Sequence, residues 1–321
     1  MKILVRSAGF LTSVQDLGRT GFRPSGVSLG GALDAHALRV ANALVGNDEN
    51  AAGLEMTLGT VRLRFEDERV VAWCGGAFAV RIEEKDLPPG HAGLVAKNEE
   101  LTITAPNSGG RAWLGISGGL DVPLVLGSRS TDLRGNFGGH EGRALRDGDT
   151  LPLGQSAASL CGRRISEWGA PTTWAKMDRD DPILRIVRGT DWDRFTPEAQ
   201  WSLVSSAFAV APDSDRMGAR LIGPELPLIQ AGDQLSEPVA PGTLQIPPNG
   251  QPILLLGDCQ TIGGYPKIAH VITVDLPVAA QLWPGEHVRF SEVSLADAQA
   301  LLRERENDFA LFRTGVGLHL R

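Results

Sequence analysis

The chain has 321 residues, 42% hydrophobic and 21% charged, a composition that fits a globular protein and excludes disordered, collagen-like and coiled-coil chains. Lys and Arg number 31 against 38 Asp and Glu, a net charge of -7, too few cations to neutralise the phosphates of a nucleic-acid partner. No stretch approaches the ~18 apolar residues of a membrane helix, and the apolar run between Lys2 and Arg6 is too short for a signal peptide.

With 39 Gly and 20 Pro spread along the chain, turns are frequent, and the predicted class is mainly β with a few helices. Short strand-type runs occur at residues 2–5, 70–74, 78–82, 101–104, 111–117, 183–188, 252–256, 271–274 and 287–290, most bounded by Gly, Pro or Asp. Short strands at that spacing predict curled antiparallel sheets in a sandwich or barrel rather than regular βαβ units.

Three segments read as helical. In residues 33–45, Leu33, Ala37, Val40, Ala41 and Leu44 form one apolar stripe that Gly46-Asn47 ends, and Asp34 at its head suits a cap. A second helix starts at Thr196 as N-cap with Pro197 behind it, grouping Trp201, Val204 and Phe208. The third starts at Ser294, with Asp297 completing a capping box before Leu301 and Leu302. Between about Gly154 and Pro182 periodicity lapses. That predicts an N-terminal β-rich domain at 1–155, a linker at 156–181 and a C-terminal domain at 182–321, each domain of ordinary size.

Several familiar chemistries lack their residues. No Gly-Lys dipeptide occurs, so there is no P-loop, and there is no H-E-x-x-H helix. Cys74, Cys161 and Cys259 are odd in number and far apart, which predicts neither a disulfide framework nor a metal site and fits a reducing cytoplasm. Gly115-Ile116-Ser117-Gly118-Gly119 matches a nucleophile elbow in letters, but the residues after it do not start a helix, so it reads as a strand end with a tight turn.

Four non-periodic stretches concentrate glycines, hydroxyls, amides and charges, the make-up of binding loops. The first holds Gln15, Asp16 and Arg19 and runs on to Asp34. The second, Gly127 to Arg143, sets Arg129 and Ser130 among glycines and suits a carboxylate or phosphate, because Arg grips oxyanions bidentately and Gly admits close backbone approach. The third contains Asp215, Arg216 and Arg220; the fourth brings Asp258, Gln260, Gly263, Gly264 and the single tyrosine, Tyr265, to the end of a strand. Asp258, Asp215 and Gln260 are the polar or acid-base candidates. Arg129, Ser130, Arg216 and Arg220 are the candidate anion holders, with Gln15, Asp16, Arg19 and Asp34 expected along the same cleft. For single residues a local ion pair or a plain turn competes with these roles.

Gln15-Asp16-Leu17-Gly18-Arg19, residues 41–47 with Glu55, Gly127-Ser128-Arg129-Ser130-Thr131, residues 214–218, Leu235-Ser236-Glu237-Pro238, Gln245-Ile246-Pro247 and residues 261–266 together resemble the biotin-dependent carboxyltransferase A/B-type family. Its stand-alone bacterial members are components of 5-oxoprolinase, formerly described as allophanate hydrolase subunit 2 or as kinase-inhibitor antagonists. The resemblance runs in order from about residue 9 to 293. It implies cyclophilin-like β-barrel architecture, a stable complex with the B-type component of 5-oxoprolinase, completion by the A-type component, and hydrolysis of 5-oxo-L-proline to L-glutamate with ATP as co-substrate of the complex. Related domains of urea carboxylase move a carboxyl group from carboxybiotin to urea. Ala175-Lys176-Met177 lacks the Met-Lys-Met setting of a biotinyl lysine, so biotin is not expected on this chain. Two alternatives accompany this expectation: a carboxyltransferase component for a urea-like amide, and a regulator that binds a kinase-inhibitor-type partner.

Overall fold

Strand Thr60–Phe65 buries Val61, Leu63 and Phe65 and exposes Arg62 and Arg64, the two-residue period of a strand with one wet face. Strand Arg69–Gly75 buries all seven residues. The difference follows from cover: the first lies in a sheet with one solvated face, while the second carries the core on one side and helix Ala35–Leu44 on the other. The computed structural model describes residues 1–320 except 108, 109, 157, 161, 176–181, 231 and 233. Cys161, Lys176 and Met177 therefore lie outside the described residues.

The chain divides into two compact units, one comprising Met1–Arg19, Gly30–Asp178 and Asn307–Arg321, the other Thr20–Leu29 and Arg179–Glu306. This grouping departs from an end-to-end division into 1–155 and 182–321. Strand Ile165–Gly169, in the stretch expected as a linker, pairs with His91–Val95. At the other end of the chain, helix Leu295–His319 buries Phe309, whose ring lies 5.8 Å from that of His36 and under the Arg39 guanidinium.

The first unit holds two six-stranded antiparallel sheets. One orders its strands Thr150–Pro152, Lys2–Ala8, Thr60–Phe65, Glu100–Thr104, Ala79–Ile82 and Lys85–Asp86; the other runs Ile165–Gly169, His91–Val95, Arg69–Gly75, Arg111–Ile116, Gly53–Thr57 and Leu11–Gln15. Their inward residues, among them Ile3, Val5, Leu54, Leu63, Trp73 and Leu114, form one apolar core. Helix Ala35–Leu44 begins where Asp34 accepts a hydrogen bond from the Ala37 amide at 2.8 Å, and it lies so close to the second sheet that a Cβ on Gly115 would come within 2.8 Å of the Ala41 backbone. The letters of the nucleophile elbow fall at that strand's end. Ser117 is fully buried, its Oγ accepts from the Val70 amide, and Gly118 and Gly119 turn the chain with positive φ, as expected for a strand end.

The second unit is a closed seven-stranded barrel in the order Ile183–Arg188, Lys267–Val271, Thr243–Gln245, Ile253–Leu255, Gly218–Ile222, Ala207–Val210 and His287–Glu292. A parallel pairing of Ile183–Arg188 with His287–Glu292 closes it. Leu184, Ile186, Phe208, Leu221, Leu244, Leu254, Ile268 and Phe290 are buried in this unit, and a two-stranded ribbon, Glu237–Pro238 with Ile262–Gly263, stands apart.

Two expectations are corrected here. Helix Pro197–Ser205 has the expected Thr196 cap and Pro197 but buries Ala199 and Leu203, leaving Trp201 70% exposed, while Phe208 belongs to a strand and packs on Phe290. The strand predicted at 271–274 lies earlier, at Lys267–Val271, because Asp275 accepts from the Arg185 amide and guanidinium and the chain turns into Thr273–Asp275 to meet them.

Candidate functional site

The barrel unit carries a cleft of about 480 Å³ whose lining includes Asp215, Arg220, Gln245, Gln251, Gln260 and Tyr265. Two loops shape it. The turn from Ala211 to Met217 is held by Asp215, whose Oδ1 accepts from the Met217 amide at 2.8 Å and the Gly218 amide at 3.3 Å. The loop after strand Ile253–Leu255 is tied to that turn by an ion pair: Arg216 Nε donates to Asp258 Oδ2 at 2.8 Å and Nη2 to Oδ1 at 3.3 Å, with the Arg216 side chain 6% exposed.

Gln245 belongs to the lining although it is only 1% exposed. Its Nε2 donates to the Tyr265 carbonyl at 3.1 Å and its Oε1 accepts from Gln260 Nε2 at 3.3 Å. Gly263 fits against this amide because a Cβ there would stand 2.6 Å from Gln245 Nε2. On the opposite lip, Gln251 grips the Gly223 backbone at two points, accepting from its N–H at 2.8 Å and donating to its C=O at 3.2 Å. Arg220 pairs with Asp213 at 3.0 Å on the exposed rim.

The structure thus brings Asp215, Arg216, Arg220, Asp258, Gln260, Gly263 and Tyr265 around one barrel cleft. Within this chain Arg216 pairs with Asp258 and Arg220 with Asp213. Gln245 and Gln251 carry no functional role on sequence grounds. Their signal was a lone amide ending a buried strand and another two residues ahead of one, which only the fold distinguishes from ordinary turn residues.

The remaining candidates belong to the first unit. Asp16, 1% exposed, is the centre of a hydrogen-bonded knot: its Oδ1 accepts from Ser128 Oγ and Ser130 Oγ, both at 2.6 Å, and from the Gly18 amide at 2.8 Å, and its Oδ2 accepts from the Arg129 amide at 2.6 Å. The Gly127–Arg143 stretch does cradle a carboxylate, and that carboxylate is Asp16. Arg19 is fully buried, donating to the Ser130 and Val125 carbonyls over the Phe137 ring; Gln15 is fully buried and donates to Ser13 and Thr131. Asp34 is the helix cap. Gln15, Asp16, Arg19, Asp34 and Ser130 are thus buried and tied by these bonds into the frame of this unit. Arg129 differs: its side chain reaches Asp121 at 3.0 Å and the Val122 carbonyl, and both Arg129 and Asp121 line a polar cleft of about 450 Å³ in this unit.

Cys74 and Cys259 are free and buried. Burial pushes the Cys74 thiol far up and that of Cys259 to about 11, the latter despite the nearby Arg23 guanidinium, so neither is a nucleophile near neutral pH. Among the described residues no group of three or more His, Cys, Asp or Glu is placed to hold a metal, and no helix is long and apolar enough to cross a membrane.

Against this geometry stand the similarities to known proteins. The profile of the carboxyltransferase domain, subdomain A and B, matches residues 25–292. The C-type subunit of Escherichia coli 5-oxoprolinase is 39% identical over 303 residues, 94% of each chain. The crystal structure of the Kluyveromyces lactis urea amidolyase superposes with a TM-score of 0.89 at 30% identity, over 97% of this chain and 20% of that one. That of TTHA0988 does so with a TM-score of 0.77 at 36% identity, over 90% of this chain and 55% of that one. This chain thus spans about half of one solved relative and a fifth of the other. Its β-rich fold with a closed barrel is that of the urea amidolyase region it matches, and the chain belongs to the carboxyltransferase family defined by subdomains A and B.

Proposed function

We infer that this chain is one component of an ATP-dependent 5-oxoprolinase, acting with A- and B-type subunits in the cytoplasm, and that the barrel cleft receives the cyclic amide. The observation that carries this reading is 39% identity across 94% of both chains to the protein named as the C-type subunit of 5-oxoprolinase. The reaction adds water across the ring C–N bond: the water oxygen joins the carbonyl carbon, the nitrogen leaves as the amine of glutamate, and ATP hydrolysis drives the opening. A lactam resists attack at neutral pH until its oxygen is activated and the developing oxyanion is held by preorganised donors.

ATP enters this reading as the co-substrate of the whole complex, and biotin is not attached to this chain. A second reading, a carboxyltransferase component for a urea-like amide, draws on the urea amidolyase match, which reaches only 20% of that chain. The test is whether glutamate forms from 5-oxo-L-proline and ATP only when this chain is added to the A- and B-type subunits.

A further inference from the structure

A glutamine amide has an oxygen end and a nitrogen end of the same shape, so its partners decide which end points where. In the barrel cleft one partner decides for two glutamines. The Tyr265 backbone carbonyl can only accept, and Gln245 Nε2 donates to it at 3.1 Å. Gln245 Oε1 is thereby turned to Gln260, whose own Nε2 donates to it at 3.3 Å. The relay ends at Gln260 Oε1, an acceptor on a cleft-lining residue that no donor occupies among the described residues. Gln245 is held in this sense because it is 1% exposed and lies flat against Gly263.

Asp213 and Asp215 add carboxylates to the lining, Asp215 spending its Oδ1 on the Met217 and Gly218 amides, while the Arg220 guanidinium on the rim is paired with Asp213. An acceptor held in this way favours a ligand that presents an N–H to it over one that presents an oxygen. We propose that Gln260 Oε1, oriented through Gln245 by the Tyr265 carbonyl, accepts the ring N–H of a lactam or a comparable amide, making Gln260 a specificity-determining residue and Gln245 its positioning residue. The proposal rests on the reading of this cleft as the lactam site.

Its test compares 5-oxo-L-proline with the corresponding lactone, in which a ring oxygen replaces the N–H, by isothermal titration of the complex of this chain with its A- and B-type partners in the absence of ATP. The lactam is expected to bind about tenfold more tightly than the lactone to the unaltered complex, the worth of one good hydrogen bond. In Gln260→Met the two ligands should bind equally. Gln260 is only half-buried, and the ligand comparison in the unaltered complex does not depend on any variant folding. Equal binding of lactam and lactone to the unaltered complex, a preference that survives in Gln260→Met, or no lactam binding would each overturn the proposal. Lactam turnover that requires this chain, without the Gln260-dependent preference, would remove this inference alone. The preference without turnover would uphold it and remove the 5-oxoprolinase reading.

Discussion

Arg216 and Asp258 are joined three times, through two side-chain hydrogen bonds and a third from the Asp258 amide to the Arg216 carbonyl at 3.1 Å. The contact staples the turn before strand Gly218–Ile222 to the loop after Ile253–Leu255, so the two loops that shape the cleft hold each other in place.

Both partners of that staple are largely buried, so removing one takes from the other the opposite charge that offsets its burial. Arg216→Ala should lower stability by about 3 kcal/mol in urea unfolding, whereas Arg216→Met combined with Asp258→Leu should recover most of the loss. An Arg216→Ala protein of unchanged stability that lost turnover would instead make the guanidinium a direct contact of the substrate.

Asp16 has a comparable place in the other unit. Asp16→Ala removes the acceptor of Ser128, Ser130 and two backbone amides at once and should cost about 3 kcal/mol, read as a lowered midpoint of thermal unfolding. Asp16→Asn, which keeps the shape and one oxygen, should lose less.

A methyl group at Gly263 would press on the Gln245 amide rather than on backbone. Gly263→Ala should therefore leave unfolding within about 1 kcal/mol of the parent while weakening lactam binding several-fold, because it disturbs the amide that orients Gln260. Circular dichroism melts and titration calorimetry on the same preparation separate the two effects.

Asp149 supplies an acid-range prediction. Its bond from Arg143, helped by the Arg146 amide and opposed by burial, holds the carboxyl down at about 2. A carboxyl whose folded value is depressed contributes stability above its ordinary value of 3.8, and that contribution is lost as pH falls from there toward 2. The unfolding free energy of Asp149→Asn should therefore lie about 1 kcal/mol below the parent at pH 6 and converge on it near pH 2.

Much of the fold was legible because local signals agreed with tertiary ones. The Asp34 cap, the turn at Gly46 and the runs at 183–188 and 287–290 all lie where pattern and propensity point to the same element. Trp201 shows the limit: a nine-residue helix buries one narrow stripe, and apolar content alone does not say which. The site was legible as a set of loops and illegible as a set of roles. Arg129, Arg216 and Arg220 have the composition of anion receptors, but the folded chain hands each a carboxylate of its own, Asp121 and Asp213 across a loop and Asp258 across the barrel. Gln245 carries the opposite lesson, since its importance comes from the polarity of a single carbonyl twenty residues away.

The most direct measurement is an omission series: ADP and glutamate released from 5-oxo-L-proline and ATP by this chain with A- and B-type subunits, by each mixture lacking one component, and by this chain alone. The account predicts both products in about equal amounts from the complete mixture, and no glutamate once this chain is left out. Undiminished glutamate formation in its absence would contradict the account.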